Sequence, residues 1–352
     1  MHKGLHTTLK IAIRLLVGAV VLFSFNLIYW KYFWMKDLDK HGPMLYNLIE
    51  IQDTFDAFYF GESSNFTTHP DDYNQLRISD NISAEFEGWR LGALNHGAYH
   101  VGMFRPLVSR VHNFKNRKTV IVTMNLRTFN QDVIYSPSEA NLQLSTRFYK
   151  RSPALLNRVF VSFNYYDNRS GHERDLLKWK AWTYDTLKST YDSISFEKNT
   201  IRRWCEVPKF LDSNGVQDDA KRQLADQYIK AYAFQIDEHN PMLKEFDDLV
   251  GIAKRKNLNL VFNLIPENIE DAQLYIGDNL VWLMRSNRDF LVERYTEQGI
   301  LVVDNLELLE SKHFIDRAVI PQEHYDAEGR ERVGKSVANA LKNQRTNVTD
   351  PE

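Results

Sequence analysis

The stretch Asp56-Ala-Phe-Tyr-Phe-Gly-Glu-Ser63-Ser-Asn65 is the part of the sequence that decides the fold. Its apolar run, Ala57 to Phe60, stops at Gly61, and a run bounded in this way is typical of a buried strand. Glycine permits a sharp exit from such a strand. The pattern therefore predicts that Ser63 lies at the carboxyl end of a strand, where open α/β sheets hold their ligands. A plain strand-to-loop turn has the same pattern, and this stretch alone leaves that interpretation open.

The composition limits the classes of protein that the chain can belong to. It has 352 residues, 43% of them hydrophobic, which suits one large domain or two small ones. The 44 Lys and Arg residues nearly balance the 46 Asp and Glu residues without a polybasic block, so we expect no nucleic-acid partner. The one cysteine, Cys205, excludes disulfides within the chain and zinc clusters built on cysteine.

Residues 11–30 predict a membrane-spanning helix. They are apolar except for Arg14, Ser24 and Asn26, and about 20 such residues cross a bilayer. Aromatic side chains between residues 29 and 34 resemble an interfacial belt. Since no small-residue cleavage motif follows, we expect residues 1–34 to be an uncleaved signal anchor with its N-terminus in the cytoplasm. A buried core helix is the alternative.

Strands and helices are expected to alternate through the rest of the chain. A helical stalk is predicted over 35–56 and helical spacing over 80–94. Further strands are predicted over 119–124, 259–266 and 299–304, and helices over 103–112, 218–256 (interrupted at Pro241) and 278–298. This alternation favours a parallel sheet with helices on both faces.

Polar residues that could carry chemistry stand beside these strands. Asn95-His-Gly97 and His100 occupy one polar loop, and Asn125 directly follows the strand over 119–124. Near the end of the chain, a loop with Asp316 and His324 precedes a helix. A serine at a strand end can be a nucleophile if a histidine reaches it.

In this order, Gly61-Glu-Ser63, Asn95-His-Gly97, Asn125, and Asp316 to His324 with a downstream Glu-Gly-Arg resemble the SGNH (GDSL-like) hydrolase superfamily. The sequence looks most similar to the membrane-anchored branch that includes alginate O-acetylation and D-alanyl transfer proteins. The resemblance covers roughly residues 55–130 and 255–342.

The resemblance implies an α/β fold, a three-layer sandwich with a mostly parallel, flavodoxin-like sheet, preceded by one transmembrane helix. Residues 35–343 would form the extracytoplasmic domain, with a helical insertion at about 136–255. Residues 344–352 are expected to be a disordered tail.

Site residues follow from the resemblance. Ser63 would be the nucleophile, His324 the base and Asp316 the acid that orients the base. Asn125 and a backbone amide at Gly97 would stabilise the oxyanion, with His100 as the alternative position in that loop. This chemistry needs no cofactor and no metal.

Three departures from the family pattern leave alternatives open. The family places Asp three residues before the histidine, where this chain has Pro321, so Glu323 is the alternative to Asp316. Ser64 would be the nucleophile if the turn were shifted by one residue. Glu62 replaces the usual Asp beside the serine, a position interpreted as structural.

The predicted function is therefore that of a serine acyl hydrolase or acyltransferase acting on O-acyl, chiefly O-acetyl, groups of a cell-envelope polysaccharide. The chain would be a single-pass protein of the bacterial inner membrane with its domain in the periplasm, and a membrane-bound O-acyltransferase is the implied partner. One alternative is a carboxylesterase or lipase acting on small or lipid esters. The other is a non-catalytic assembly or binding factor, which the missing Asp favours.

Overall fold

The computed structural model describes residues 2–112, 118–185, 187, 200–206, 210–211 and 213–349. The chain divides into two compact units. The smaller unit comprises residues 1–50 and 139–168, and the larger unit comprises residues 51–138 and 169–352.

The larger unit contains a five-stranded sheet. Its strands are β1 (Ala57–Gly61), β2 (Leu91–Asn95), β3 (Thr119–Met124), β4 (Asn259–Leu264) and β5 (Leu301–Asp304). All the pairings are parallel, and the order is β2-β1-β3-β4-β5. The expected α/β fold with a parallel sheet is therefore confirmed. The strand order reverses between β1 and β3, and sheets of this order hold ligands at that point, outside the carboxyl ends of the strands.

The described helices comprise sixteen α-helices and two short 3₁₀ segments. They are α1 (His2–Tyr32), α2 (Trp34–His41), α3 (Pro43–Ile51), α4 (Ser63–Phe66), α5 (Ile78–Ala84), α6 (Val101–Val108), α7 (Gln131–Ile134), α8 (Glu139–Tyr149), α9 (Ala154–Ser162), α10 (Gly171–Tyr184), α11 (Ile201–Cys205), α12 (Asp219–Tyr232), α13 (Pro241–Lys256), α14 (Ile269–Tyr275), α15 (Asp278–Glu297) and α16 (Ala327–Thr349), with 3₁₀ turns at Leu126–Phe129 and Ser311–His313.

The sequence predicted four of the five strands. Every residue of β3 is buried, as its continuous β-branched run indicates. The helical prediction over 80–94 is wrong in its second half, because α5 ends at Ala84 and β2 begins at Leu91. This strand lies at the sheet edge and is short, and apolar residues three apart in so short a segment fit either structure.

Helices cover both faces of the sheet. On one face, Tyr59, Ile121 and Val261 share a buried core with Val333 and Val337 of α16. Alternate residues of a strand point to opposite faces. The opposite face is aromatic, and its ring contacts join strands to α6, α13 and α15: Phe60 with Phe104, Phe262 with Phe246, and Phe262 with Tyr295.

The smaller unit contains the candidate membrane helix. Residues 7–32 of α1 are long and apolar enough to cross a membrane, with a mean hydropathy of 2.3 and an 18-residue apolar stretch that is entirely unburied. Here α1 packs on α9, where Asn26 Oδ1 accepts the backbone N–H of Leu155 at 3.0 Å.

Two sequence expectations about boundaries differ from the structure. Residues of the expected insertion, 136–255, are divided between the two units, because α8 and α9 belong with α1. Residues 344–349 of the expected disordered tail continue α16, which ends at Thr349, and the disorder of the tail stays a prediction. Residues 350–352 lie outside the described residues.

Candidate active site

The turn that carries Ser63 directly follows β1. Glu62 is the N-terminal cap of α4, and Ser63 is the first residue of that helix. A Cβ atom at Gly61 would lie 2.6 Å from Tyr59 Cε1 and 2.7 Å from Asn95 Oδ1. Gly61 does not have a positive φ. The glycine is therefore needed because the Tyr59 ring and the end of β2 come close to it.

Ser63 lies beside His324, which in turn contacts Asp316. His324 Nε2 is 3.1 Å from Ser63 Oγ, and His324 Nδ1 is 3.0 Å from Asp316 Oδ2. The His324 side chain is 16% exposed and that of Asp316 is 44% exposed. The three side chains thus form one line of contacts at the β1/β3 switch point, open to solvent at the Asp316 end.

A local backbone pairing explains how an acid eight residues away reaches the histidine. Phe314 and Tyr325 form an antiparallel bridge, and the Ile315 N–H donates to the His324 carbonyl at 2.9 Å. The intervening segment folds back as a loop, which brings Asp316 to His324. Pro321, at the position where the family has its acid, lies within that loop.

Glu323 does not take the place of Asp316. Its carboxylate lies 3.2 Å from Arg127 Nη1 and 3.3 Å from the Tyr232 hydroxyl. Neighbouring side chains of an extended segment point in opposite directions, so Glu323 and Tyr325 point into the protein while His324 points to Ser63.

The buried side chain of Arg330 joins the two distant loops. It forms an ion pair with Asp72 at 2.9 Å and is fully buried. Its guanidinium also donates to four backbone carbonyls, those of Thr67, Asn74, Leu76 and Tyr325. The segment after α4 is thereby fastened to the residue that follows His324. This gives a structural role to the Glu-Gly-Arg sequence noted above.

Asn125 lies next to the Ser63 turn and is itself firmly held. Its Nδ2 donates to Glu62 Oε1 at 2.6 Å, and its Oδ1 accepts the Arg127 N–H at 2.8 Å. The loop with Gly97 reaches the same turn, because the His96 N–H donates to the Gly61 carbonyl at 3.3 Å. The roles of Asn125 and Gly97 as oxyanion donors remain predictions.

The alternative residues have other surroundings. Ser64 is 1% exposed. His100 is buried and caps α6, where its Nδ1 accepts the Gly102 N–H at 3.2 Å. His96 is exposed and stacks on Tyr99. Over the described parts of the chain, no group of three or more His, Cys, Asp or Glu side chains is arranged to hold a metal ion.

Beneath the Ser63 turn lies a cluster of acidic groups, here called the inner carboxyl cluster: Glu62, Glu267 and Glu323 with Arg127 and Tyr232. Arg127 donates to the Pro321 carbonyl and pairs with Glu323. The Tyr232 hydroxyl donates to Glu267 Oε2 at 2.6 Å. Arg127 contacts Glu323 directly and interacts with Glu62 and Glu267 through its charge alone.

Burial decides the charges in this cluster. Burial, reinforced by the charge of Glu323, raises the pKa of Glu62 to about 8. Burial likewise raises the pKa of Glu267 well above its usual value. Burial alone would lower the pKa of Arg127, but the acidic groups around it, Glu323 first, raise it above its usual value. Burial therefore favours the neutral forms of Glu62 and Glu267, while Arg127 pairs with Glu323.

Sequence reasoning missed most of this inner carboxyl cluster. Glu62 was interpreted as structural, and the ion pair of Arg127 with Glu323, whose side chain is 8% exposed, was not predicted. Glu267 stands just beyond β4 and could have been found by the rule that identified Asn125, since it follows a buried strand. Tyr232 is the last residue of α12 and carries no such signal.

Comparison with known proteins gives remote likenesses. No family model matches the sequence, and no curated protein matches it. A solved structure of a member of the lipolytic protein G-D-S-L family from Veillonella parvula aligns with 81% of this chain and 97% of its own, at 10% identity and a TM-score of 0.36. A second solved structure covers 81% of this chain and 95% of its own, at 10% identity and a TM-score of 0.31. Similarity this remote assigns no family, so the chemistry has to be inferred from the side chains.

Proposed function

We propose that the chain is a serine acyl-ester hydrolase or acyltransferase. The observation that carries this proposal is the line of contacts from Ser63 through His324 to Asp316. A serine hydroxyl is a weak nucleophile until an adjacent base accepts its proton, and a carboxylate on the far ring nitrogen orients that base. The line lies at the switch point of the sheet, where ligands of such folds bind.

The proposed reaction has two halves. Ser63 Oγ bonds to the acyl carbonyl carbon while its proton passes to His324 Nε2, and the leaving alcohol then takes that proton. The acyl group on Ser63 is next attacked by water or by a sugar hydroxyl, whose proton again passes to His324. Release of the acyl group returns the proton to Ser63. Asp316 stabilises the imidazolium that forms in each half.

Asn125 is the proposed side-chain donor to the oxyanion. One hydrogen on its Nδ2 is directed to Glu62, and the other is free in this scheme to meet the developing negative charge. A protonated Glu62 suits this arrangement because it places no competing charge beside that site. The backbone amides of Gly97 and Ser63 are the proposed further donors.

The substrate and location are part of the same proposal. An α1 helix that crosses the bacterial inner membrane would hold the larger unit in the periplasm, close to envelope polysaccharides that carry O-acetyl groups. A membrane-bound O-acyltransferase would supply the acyl group. The family resemblance and the candidate span support this setting. No cofactor is needed for the steps above.

A fluorophosphonate probe tests the chemistry. We expect the full-length protein in detergent to be labelled on Ser63, and the label to be lost in Ser63→Ala and in His324→Ala. Ser64→Ala is the matched control and should still be labelled. Labelling that persists in Ser63→Ala, or its absence from the folded wild-type protein, would overturn the proposal.

A second assay separates transfer from hydrolysis. With p-nitrophenyl acetate as donor, an oligosaccharide acceptor should gain acetyl groups if the chain is a transferase. Release of all the acetate to water, unchanged by acceptor, would identify a simple esterase.

A further inference from the structure

The smaller unit carries an exposed apolar surface, here called the α9 face: Leu156, Val159, Phe163 and Tyr165. The first three lie at positions i, i+3 and i+7 and therefore on one side of the helix and its C-terminal extension. Phe163 is 81% exposed and Tyr165 is 63% exposed. The opposite side of α9 is buried within the unit through Ala154, Asn157 and Val161. Exposed apolar surfaces of this kind mark a contact with another phase or molecule.

Helix α9, which carries the α9 face, packs directly on the candidate membrane helix. The side chain of Asn26, within the apolar span, accepts the N–H of Leu155 in the first turn of α9. Asn26 precedes the last residue of α1, Tyr32, by six residues, which is about 9 Å along a helix that rises about 1.5 Å per residue. If the end of α1 marks the membrane surface, α9 begins below it. Interfacial helices bury their apolar side about 5–10 Å into the headgroup and acyl boundary, which is a similar depth.

Charged and aromatic groups around α9 also suit a membrane interface. Lys150 and Arg151 are exposed directly before the helix. The guanidinium of Arg147 lies 5.1 Å from the centre of the Tyr165 ring. Basic residues that border an apolar side are attracted to anionic headgroups, and aromatic rings with a polar group favour the interfacial layer.

We infer that α9 is a second membrane contact, an interfacial helix that inserts its apolar face among lipid acyl chains beside the C-terminal end of α1. The inference rests on the proposed membrane anchorage of α1, and it does not depend on the proposed acyl chemistry. The smaller unit would then hold the chain to the bilayer by two elements and fix its rotation about the α1 axis, which a single helix does not fix.

Spin labels on the full-length protein test this. In a Cys205→Ser background, Phe163→Cys places a nitroxide on the α9 face, with Val159→Cys as a second position in case the first disturbs folding. Leu22→Cys marks the span, and Tyr73→Cys, where the native side chain is 68% exposed in the larger unit, marks water. The protein is reconstituted in vesicles of phosphatidylcholine with a minority of anionic phosphatidylglycerol, because anionic headgroups attract basic residues near the surface.

The measurement is the accessibility of each label to oxygen, which concentrates in lipid, and to a water-soluble nickel chelate. We expect labels at 163 and 159 to favour oxygen several-fold more than the label at 73, and less than the label at 22. Equal values at 163, 159 and 73, with 22 in lipid, would place α9 in water and overturn the inference while leaving the anchor standing.

Two other outcomes also overturn it. Labels at 163 that are shielded from both reagents, with spin–spin broadening that disappears on dilution with unlabelled protein, would show that a second copy covers the α9 face. A label at 22 that lies in water would remove the anchorage itself. Fluorophosphonate labelling of Ser63 in the same samples reports the acyl chemistry separately, so the failure of one proposal is distinguishable from the failure of the other.

Discussion

Two sets of acidic side chains lie at the same end of the sheet, yet their surroundings give them opposite roles. Asp316 is 44% exposed and contacts His324, whereas Glu267 and Glu323 of the inner carboxyl cluster are buried, and Glu323 pairs with Arg127. A carboxylate at the surface stays ionised at little cost and can stabilise an imidazolium. Buried carboxyl groups must be protonated or paired with a cation. Solvent exposure, and not distance along the chain, therefore separates the candidate acid from the structural ones.

The loop before α16 directs neighbouring side chains into these two different surroundings. Glu323 and His324 are neighbours, but the extended backbone sends one side chain to Arg127 and the other to Ser63. Asp316 reaches His324 because the bridge between Phe314 and Tyr325 closes the loop behind it.

The largest expected effect is on Asp316. We expect Asp316→Asn to lower kcat for ester hydrolysis by about 10⁴-fold, because an amide neither fixes the tautomer of His324 nor stabilises its charged form. Stability should change little, since the side chain is partly exposed. The measurement is p-nitrophenyl acetate hydrolysis beside a thermal unfolding curve.

Asp71→Asn is the matched control for this change. The Asp71 side chain is 91% exposed, and activity should equal that of the wild type. If Asp316→Asn keeps full activity, Asp316 is not the acid that orients His324. Its exposure would then not distinguish it in function from the inner carboxyl cluster.

The next largest effect is on stability and belongs to the inner carboxyl cluster. We expect Arg127→Met to lower the free energy of unfolding by about 3–5 kcal/mol, because the buried carboxylate of Glu323 is left without its cation. Chemical denaturation of the detergent-solubilised protein measures this. The double variant with Glu323→Gln should recover part of the loss, since it removes the unpaired charge.

The control for Arg127 is an arginine at the surface. Arg332 pairs with Glu328 and is 39% exposed, so Arg332→Met should leave the unfolding curve close to that of the wild type. Equal effects of the two substitutions would show that the Arg127 pair is no more important to the fold than a surface ion pair.

The sequence could predict Ser63, His324 and Asp316 but not most of the inner carboxyl cluster, for a physical reason. Ser63 and Asn125 follow apolar strands whose patterns are visible in short windows, and the carboxyl ends of parallel strands meet at one edge. The contact of His324 with a serine 261 positions away was inferred from the order of motifs, because no local pattern encodes it. The inner carboxyl cluster depends on the packing of α12 and on the pairing of the terminal loop, which are long-range features.

Some local predictions failed for a related reason. The helical spacing over 80–94 extends into the edge strand β2, and the pairing of β2 with β1 is what makes it a strand. Gly61 was expected to permit a sharp exit from the strand, whereas its role in the structure is to leave room for Tyr59 and Asn95. In both cases the local sequence pattern was visible, but a residue or strand distant in the chain decided the structural outcome.

The third effect concerns Asn125, the proposed oxyanion donor, which also donates a hydrogen bond to Glu62 of the inner carboxyl cluster. We expect Asn125→Ala to lower kcat by a factor that corresponds to about 2.7–4 kcal/mol of barrier, the usual contribution of one oxyanion donor. The Michaelis constant should change less than kcat, because the lost hydrogen bond forms in the transition state.

Asn130→Ala separates this loss from the loss of a helix cap. Asn130 is also a buried asparagine that caps a helix, with its Oδ1 accepting the N–H groups of Asp132 and Val133. Its replacement should lower stability and leave kcat near the wild-type value. A similar fall in kcat for both variants would assign Asn125 a structural role.

The smallest expected effect is the pH dependence of serine labelling that is due to Glu62. Its carboxyl is neutral below its pKa of about 8 and ionises above it. An ionised Glu62 would place negative charge beside Asn125, where the oxyanion develops. We therefore expect the rate of fluorophosphonate labelling of the wild type to fall above pH 8, and Glu62→Gln to remove that fall while matching the wild type at pH 7.

The pH dependence of stability tests the protonation of Glu62 independently, and linkage gives the direction of the expected change. The folded state binds the Glu62 proton more tightly than the unfolded state, where the pKa is near the usual 4.5. The stabilisation from this proton is complete below pH 4.5 and is lost as the pH rises toward 8. Glu62→Gln should therefore gain stability relative to the wild type between pH 4.5 and pH 8. Parallel stability curves over that range would mean that Glu62 is ionised in the folded protein, and the inner carboxyl cluster would then have to hold two negative charges against one arginine.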